Sequence, residues 1–345
     1  CSAACRAITS IDILLRKASS RPMTFSTALR LNMTGLQREP RDEAARYRAA
    51  LDMAAYVDAH GFDAVALEEH HGAGNGWLPS PLTMAAAIAA RTQRVRISVT
   101  ALLVTLYDPV RLAEDIAVLD LISDGRFSFV AGSGYRPEEY HALGKDWSAR
   151  GRLMDEVIET LLEAWRGEPF DYKGRRIRVT PVPQSRPHPL FFVGGMSAVA
   201  ARRAARFGLP FYPPFEDPAL EQVYREALEH HGTRGFVAHP GAGNTMLFVD
   251  PEPEQAWERL GPYFLREMQE YDSWKLEGVR RPSEGSAATI DDVRRSGRFA
   301  IVTAAEARAL LGDGGRHNAV LHPLVGGVPL EAAWASLRRF VEQVL

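Results

Sequence analysis

The chain has few of the residues and runs that mark secreted, membrane or nucleic-acid-binding proteins. Only two cysteines occur, Cys1 and Cys5, so no disulfide framework is expected and a reduced, cytoplasmic protein is predicted. No apolar run approaches the roughly 18 residues of a membrane span. The 41 lysines and arginines nearly balance 43 acidic residues without forming a long basic run. Nucleic acid is therefore not an expected partner, and small-molecule chemistry is favoured.

The first 22 residues also lack the continuous apolar centre of a secretory signal. They are rich in serine and arginine and poor in acidic residues, which faintly suggests a transit peptide. A disordered leader or a start-site remnant before Met23 is the simpler interpretation. We expect residues 1–22 to lie outside the fold and 23–345 to form one domain.

The remaining sequence alternates between short apolar runs and stretches with helical spacing of apolar residues. One such helix has Asp108 as a cap and Pro109 at its first position, a favoured pairing. A hairpin-like stretch is predicted at 170–180. The strand candidates are 25–33, 63–68, 95–104, 126–132, 190–194, 209–212, 244–249 and 318–325. Alternation over eight strand–helix units predicts an α/β fold, a closed (β/α)8 TIM barrel, in preference to an open doubly wound sheet.

Residues 272–298 do not fit this alternation, because they are polar, contain Gly, Ser and Pro, and are longer than an ordinary connection. We interpret them as an insertion before the last strand. A lid over the active edge and a disordered surface loop are equally compatible with this composition.

The stretch 66–81, ALEEHHGAGNGWLPSP, leads from a predicted strand into a glycine-rich loop, at the barrel edge where catalysis takes place. Side chains alternate along an extended strand, so His70 and His71 are not expected to chelate one metal together. A two-histidine, one-carboxylate iron site is therefore disfavoured, and no metal is predicted. One imidazole at the mouth is a candidate acid/base, with Glu69 and His71 supporting it. A purely structural histidine pair remains an alternative.

Two glycine-containing loops also follow predicted strands. The loop at 132–134, GSG, exposes backbone N–H groups suited to a phosphate but lacks the rest of a dinucleotide fingerprint. The loop at 194–197, GGMS, precedes a helix whose N-terminus attracts anions. It nearly matches a nucleophile elbow, although Val199 replaces the final glycine. Arg150 and Arg152 could also contact a phosphate. The alternative interpretation of the glycines is that they form tight turns at strand ends, and that of the two arginines is a solvated first helical turn. The aromatic stripe that ends at Tyr271 is assigned to packing.

Taken together, several segments resemble the bacterial luciferase-like flavin monooxygenase family. They include YRAALDMAAYVDAHGFDAVALEEHH, IAARTQRVRISVTALLVTLYDPVRLAEDIAVLDLISDGRFSF, GSGYRPEEYHALG, HPLFFVGGMSAVAARRAARFG and LHPLVGGVPLEAAWASLRRFV. The similarity spans about 25–345 and is most specific from 47 to 147.

The resemblance implies a barrel that binds FMN at the carboxyl ends of its strands, with His70 as the catalytic histidine. It also implies a non-prolyl cis peptide near Thr100–Ala101, forming a bulge behind the flavin ring. Two positions depart from luciferase: Gly132 replaces its reactive cysteine, and Ser133 replaces a phosphate-binding arginine. Light emission is therefore not implied. The expected cofactor-binding residues are Thr100, Ala101, Gly132, Ser133, Gly134, Tyr135, Arg150, Gly194, Gly195, Met196 and Ser197.

We therefore expect a two-component flavin-dependent monooxygenase that uses reduced FMN (FMNH2) and O2 on a small organic substrate. A separate NAD(P)H:flavin reductase would supply the flavin, and family behaviour suggests a homodimer. One alternative is hydride transfer with the deazaflavin coenzyme F-420 and no oxygen. Another is a flavin-binding protein with impaired catalysis. The substrate is not determined by the sequence.

Overall fold

The structure is a computed structural model that describes residues 25–37, 39–238, 245–275, 287–312 and 318–345. The predicted leader at 1–22 lies outside the described residues, as does the segment 276–286 of the predicted insertion. Elsewhere in the described chain, helices and strands alternate as the sequence predicts.

Nine strands form one sheet, and every pairing in it is parallel. The strands are β1 (Ser26–Leu31), β2 (Ala64–Leu67), β3 (Arg96–Leu102), β4 (Phe127–Ala131), β7 (Leu190–Gly194), β8 (Phe211–Tyr212), β9 (Met246–Val249), β10 (Phe299–Val302) and β11 (Asn318–Leu321). Their order is β10-β9-β11-β1-β2-β3-β4-β7-β8. The remaining two, β5 (Phe170–Tyr172) and β6 (Arg175–Ile177), form the separate antiparallel hairpin predicted at 170–180.

The helices fall mainly between successive strands, which is the (β/α)8 TIM-barrel fold that the sequence predicts. They are α1 (Pro40–Ala59), α2 (Pro81–Arg91), α3 (Pro109–Ile122), α4 (Pro137–Ala142), α5 (Arg150–Ala164), α6 (Ala198–Arg206), α7 (Pro218–His231), α8 (Pro253–Ser273), α9 (Ile290–Ser296), α10 (Ala304–Gly312) and α11 (Leu330–Gln343). In the described residues no helix is both long enough and apolar enough to cross a membrane.

The sequence prediction of eight strand–helix units was incomplete, because β10 pairs with β9 as a further strand and α10 follows it. The strand contains only four residues and comes directly after the polar run at 294–298, RRSGR. Its apolar run is therefore too short to stand out as a strand in the sequence. Part of the predicted insertion is also regular, since it contains the last turn of α8 and all of α9.

The core packs between the sheet and the helices, and stacked aromatic rings mark it. Phe129 on β4 stacks on Phe191 on β7, with ring centroids 5.0 Å apart. Phe264 on α8 stacks on Phe299 on β10 at 4.5 Å. All five residues of β4 are buried. The strand ends that carry the candidate site are therefore held by a tightly packed scaffold.

The predicted cap of α3 is confirmed. The Asp108 carboxylate accepts hydrogen bonds from the backbone N–H groups of Val110 and Arg111, each at 3.0 Å. Pro109 occupies the first helical position. We expect Asp108→Ala to lower the free energy of unfolding by about 1 kcal/mol, because two helix N–H groups lose their acceptor. Urea denaturation measures this change. Asp108→Asn is the control, since asparagine caps equally well; an equal loss in both variants would contradict the capping role.

Candidate active site

The two histidines follow β2, and the structure turns them toward different partners. The His70 backbone N–H donates to the carbonyl oxygen of Leu78 at 3.2 Å, which closes the loop after the strand. His70 contacts Glu139 and His71 contacts Glu69. The two imidazoles therefore contact different carboxylates. In the ranges that the structure describes, no cluster of His, Cys, Asp and Glu side chains is suited to a metal ion.

The imidazole of His70 is held at both nitrogens. Its Nδ1 lies 2.8 Å from Glu139 Oε1, and its Nε2 lies 3.1 Å from the Tyr135 hydroxyl. A carboxylate only accepts hydrogen bonds, so Nδ1 carries a proton and donates to Glu139, while Nε2 shares a hydrogen bond with the Tyr135 hydroxyl. Burial and the neighbouring Tyr271 raise the pKa of Tyr135 well above its ordinary value, which keeps the hydroxyl protonated. The imidazole ring is therefore held from both sides.

Glu139 on α4 holds this arrangement together. Its side chain is fully buried, and Oε1 also accepts from the His71 backbone N–H at 3.0 Å and from Arg136 Nη1 at 3.2 Å. The second oxygen, Oε2, is buried without a partner. Arg136 in turn donates to the His71 carbonyl at 3.0 Å. One buried ion pair thus fixes both the loop after β2 and the catalytic candidate.

Glu69 connects the histidine loop to the end of β3. Its Oε2 accepts from the backbone N–H of Leu103 at 2.6 Å, and its Oε1 lies 3.0 Å from His71 Nε2. The Tyr107 hydroxyl also donates to Oε1, at 2.5 Å. Burial, followed by the charge of Glu69, raises the pKa of Tyr107. Glu69 therefore joins the loop after β2 to the end of β3, with His71 as one of its partners.

His71 makes stability depend on pH. Burial lowers its pKa, but the hydrogen bond and charge of Glu69 outweigh burial and raise it above the ordinary 6.5. The stabilisation is therefore fully present below pH 6.5 and is lost as pH rises through the raised pKa. We expect the difference in unfolding free energy between wild type and His71→Gln to shrink from about pH 6 to about pH 9. Urea denaturation at both values tests this; a constant difference would contradict it.

The structure contains the cis peptide bond between Thr100 and Ala101 that the resemblance implies. The pairing of β3 with β4 shifts between Thr100 and Leu102, so a bulge lies at this point. A Cβ added to Gly132 would lie 2.9 Å from the Cβ of Ala101. Gly132 is thus packed against the bulge without room for a side chain. Ala101 packs with Val130, Phe192, Ala238 and Tyr212 in a small apolar cluster.

The two glycine-containing loops lie side by side, because Ala131 at the end of β4 pairs with Val193 on β7. In the first loop, the Tyr140 hydroxyl donates to the Ser133 carbonyl. In the second, exposed Ser197 caps α6 by accepting from the Ala200 N–H at 3.3 Å. Gly134 in the first loop lies next to Leu103 and Glu139. In the second loop, Gly194 lies next to Val130 and Gly195 next to Ala200, and Met196 is half-buried.

Arg150 begins α5, and its Nη1 donates to the carbonyl of Trp147 at 3.1 Å. Burial raises the pKa of Tyr140, and the hydrogen bond of Thr105 and the charge of Arg150 oppose that rise. Arg203 on α6 donates to the carbonyl of Gly151 at 3.2 Å. The first turn of α5 is therefore joined to the last turn of α6.

These residues fit a flavin mononucleotide. An apolar wall at Ala101 suits a planar ring, and backbone N–H groups at the start of α6 with the Ser197 hydroxyl suit a phosphate. An imidazole such as that of His70 could supply an acid/base group at this edge of the barrel. The fit is incomplete at the ring end, because aromatic side chains cover His70, which is only 5% exposed. The adjoining cavity has about 240 Å³, below the roughly 300–1,000 Å³ of typical ligand pockets. A ring-sized ligand reaches His70 only when a side chain moves.

Several site residues were missed by the sequence analysis. Glu139 follows the GSGY loop in a short helix that no predicted element covers. Tyr271 was assigned to packing, yet its ring lies 6.3 Å from that of His70, and burial is the main cause of its raised pKa. Trp77 and Trp274 also surround His70, at 5.0 and 4.7 Å between ring centroids. The signal for Glu139 is its spacing from Arg136, three positions along a helix.

Comparison with known proteins shows related sequences. Residues 26–321 match the family of luciferase-like monooxygenases. An uncharacterised protein of Sinorhizobium fredii, y4wF, is 34% identical over 84% of this chain and 88% of its own length. The alkanal monooxygenase beta chain of Vibrio harveyi is 26% identical over 73% of this chain and 81% of its own length.

Solved structures share the fold at low identity. The monooxygenase RslO1 of Streptomyces bottropensis superposes with a TM-score of 0.70 at 23% identity, covering 92% of this chain and 98% of that one. The oxygenating constituent of 3,6-diketocamphane monooxygenase from Pseudomonas putida, solved with FMN, superposes with a TM-score of 0.64 at 18% identity. The match covers 92% of this chain and 97% of that one. An F-420-dependent secondary alcohol dehydrogenase also superposes with a TM-score of 0.64, at 16% identity. The match covers 92% of this chain and 97% of that one.

Proposed function

We propose that this chain, which belongs to the luciferase-like monooxygenase family, uses reduced FMN and O2 to oxygenate a small organic substrate. The observation that carries the proposal is the hydrogen-bonded series of Glu139, His70 and Tyr135 at the carboxyl ends of the barrel strands. This series holds a buried imidazole in a fixed position where it could exchange a proton. The fold shared with a protein solved with FMN supports the choice of cofactor.

Different residues of the site would contact the ring and the phosphate of the flavin. Ala101 and the apolar cluster behind it would hold the flavin ring, and the loops 132–135 and 194–197 would hold its ribityl phosphate through backbone N–H groups. Arg150 would contribute positive charge near Ser133. Reduced flavin, when bound, supplies the electrons that activate oxygen.

His70 performs the proton transfer in this proposal. Its Nε2 accepts a proton released during the reaction, and the Glu139 carboxylate at Nδ1 stabilises the imidazolium that forms. The same nitrogen then returns the proton to the oxygen product. Tyr135 keeps Nε2 oriented in the resting state by donating its hydroxyl. Burial of His70 among aromatic rings limits contact with water during these steps.

We further propose that a separate NAD(P)H:flavin reductase supplies the reduced FMN and that the chain acts in the cytoplasm as a homodimer. The alternative is hydride transfer with coenzyme F-420. Its support is the shared fold of the F-420-dependent dehydrogenase, together with Ser133, which stands where luciferase carries a phosphate-binding arginine.

Anaerobic titration tests the two cofactors directly. The full chain is titrated with reduced FMN and, in parallel, with reduced F-420, and binding is followed by flavin fluorescence. Air is then admitted and oxygen consumption is measured. We expect FMN to bind at least about tenfold more tightly than F-420, which corresponds to about 1.4 kcal/mol, and oxygen to be consumed. Tighter binding of F-420 without oxygen consumption would replace the proposal with the alternative.

A further inference from the structure

We propose that the space occupied by the indole of Trp274 is a binding site for an electron-rich planar aromatic substrate of the phenol or naphthol class. We call this space the ring slot, defined by the side chains of His70, Trp77, Arg136 and Tyr271 around Trp274. The inference deepens the proposed function, on which it rests, by naming the substrate class that would reach His70.

The indole of Trp274 shows what the slot accommodates. Its ring centroid lies 4.7 Å from that of His70, 5.2 Å from Trp77 and 5.5 Å from Tyr271. These are distances of direct aromatic contact. A fused two-ring group is therefore already seated against the catalytic candidate, and a ligand of the same shape would meet the same three rings.

Arg136 gives the slot a preference for electron-rich rings. Its guanidinium carbon lies 4.1 Å from the centre of the Trp274 ring, a cation–π contact. The arginine is buried and held independently of Trp274, by Glu139 at 3.2 Å and by the His71 carbonyl at 3.0 Å. The cation therefore stays in place when the indole leaves, and it would face the next ring that enters.

Trp274 is the member of this cluster that can be displaced. It follows Ser273, the last residue of α8, and is half-buried, whereas Trp77 is buried within the histidine loop. The cavity of about 240 Å³ lies directly beside it, lined also by Tyr135, Arg136 and Lys275. An incoming ring would enter through this cavity and take the place of the indole.

The ring slot differs from the wall proposed for the flavin. The rings of the slot contact one another, His70 and Arg136, whereas Ala101 packs with Val130, Phe192 and Tyr212. A flavin against Ala101 and an aromatic substrate in the slot would thus approach His70 from different groups of residues. Both ligands are expected to bind together.

Equilibrium dialysis of the full chain without flavin tests the proposal. The probes are 2-naphthol and its saturated counterpart decahydro-2-naphthol, which has a similar shape but no π-system. We expect 2-naphthol to bind at least about tenfold more tightly, as a desolvated cation–π contact supports. Trp274→Ala should tighten 2-naphthol binding about tenfold further, because the competing indole is gone. Trp274→Phe, which keeps a ring in the slot, should behave like wild type.

Three results would overturn the inference. They are equal affinity for the two alcohols, unchanged or weaker 2-naphthol binding in Trp274→Ala, and displacement of 2-naphthol by saturating FMN, which would assign the slot to the flavin. Failure of the proposed function gives a different result. In that case reduced FMN does not bind in the anaerobic titration, while the preference for 2-naphthol and its response to Trp274→Ala remain.

Discussion

Replacing His70 with alanine should slow turnover by about 10²–10⁴-fold, the usual contribution of a positioned acid/base group. The loss is expected because, in the proposed mechanism, Nε2 exchanges the proton. Burial keeps the Tyr135 hydroxyl protonated, and Glu139 is bonded to the other nitrogen of the imidazole. Steady-state turnover with reduced FMN measures the effect. Binding of reduced FMN, measured separately by titration, should change little.

The adjacent histidine provides the matched control. His71 lies in the same loop but bonds to Glu69, away from Tyr135. His71→Ala should therefore lower the unfolding free energy while turnover falls by less than about tenfold. That loss is smaller than the loss expected on removal of an acid/base group. If His70→Ala retained full turnover, or if both variants lost it equally, His70 would not be the acid/base group.

Replacing Glu139 with alanine should lower the free energy of unfolding by about 3–5 kcal/mol, the cost of breaking a buried ion pair on one side. The carboxylate is 1% exposed and accepts from His70, the His71 backbone and Arg136. Its removal leaves buried donors without an acceptor and leaves the Arg136 charge uncompensated. Urea denaturation measures the change.

The neighbouring Glu138 is the control for this substitution. It is exposed on the same short helix, so Glu138→Ala should change the unfolding free energy by no more than about 0.5 kcal/mol. Glu139→Gln adds a functional measurement. A neutral amide stabilises the imidazolium less well than a carboxylate, so turnover should fall in this variant while its unfolding free energy falls less than that of Glu139→Ala. A Glu139→Ala protein as stable as wild type would contradict the ion pair.

Local features of the fold were predictable from the sequence because their causes lie within a few residues. The cap at Asp108 and Pro109 depends on adjacent positions, and the loop that carries His70 and His71 directly follows an apolar strand. The four-residue strand β10 was missed because its apolar run, FAIV, is short and directly follows the polar segment read as an insertion. The cis bond at Thr100–Ala101 came from the family resemblance and from no local pattern.

The environment of His70 depends on contacts between distant parts of the chain. Glu139 is 69 positions from His70, and Trp274 lies still further along, beyond several strands and helices. Periodicity places each residue on its own element but does not state which elements meet. The carboxylate partner and the aromatic rings therefore emerged only from the three-dimensional arrangement, whereas the loop that carries the histidine was evident from its sequence.

The most direct test of the account is a crystal structure of the chain with FMN bound. We predict that the isoalloxazine ring lies against Ala101, with His70 Nε2 within contact of its edge. We predict the phosphate at the loops 132–135 and 194–197. A ring bound outside the carboxyl ends of the strands, or out of reach of His70, would contradict the assignment of this site.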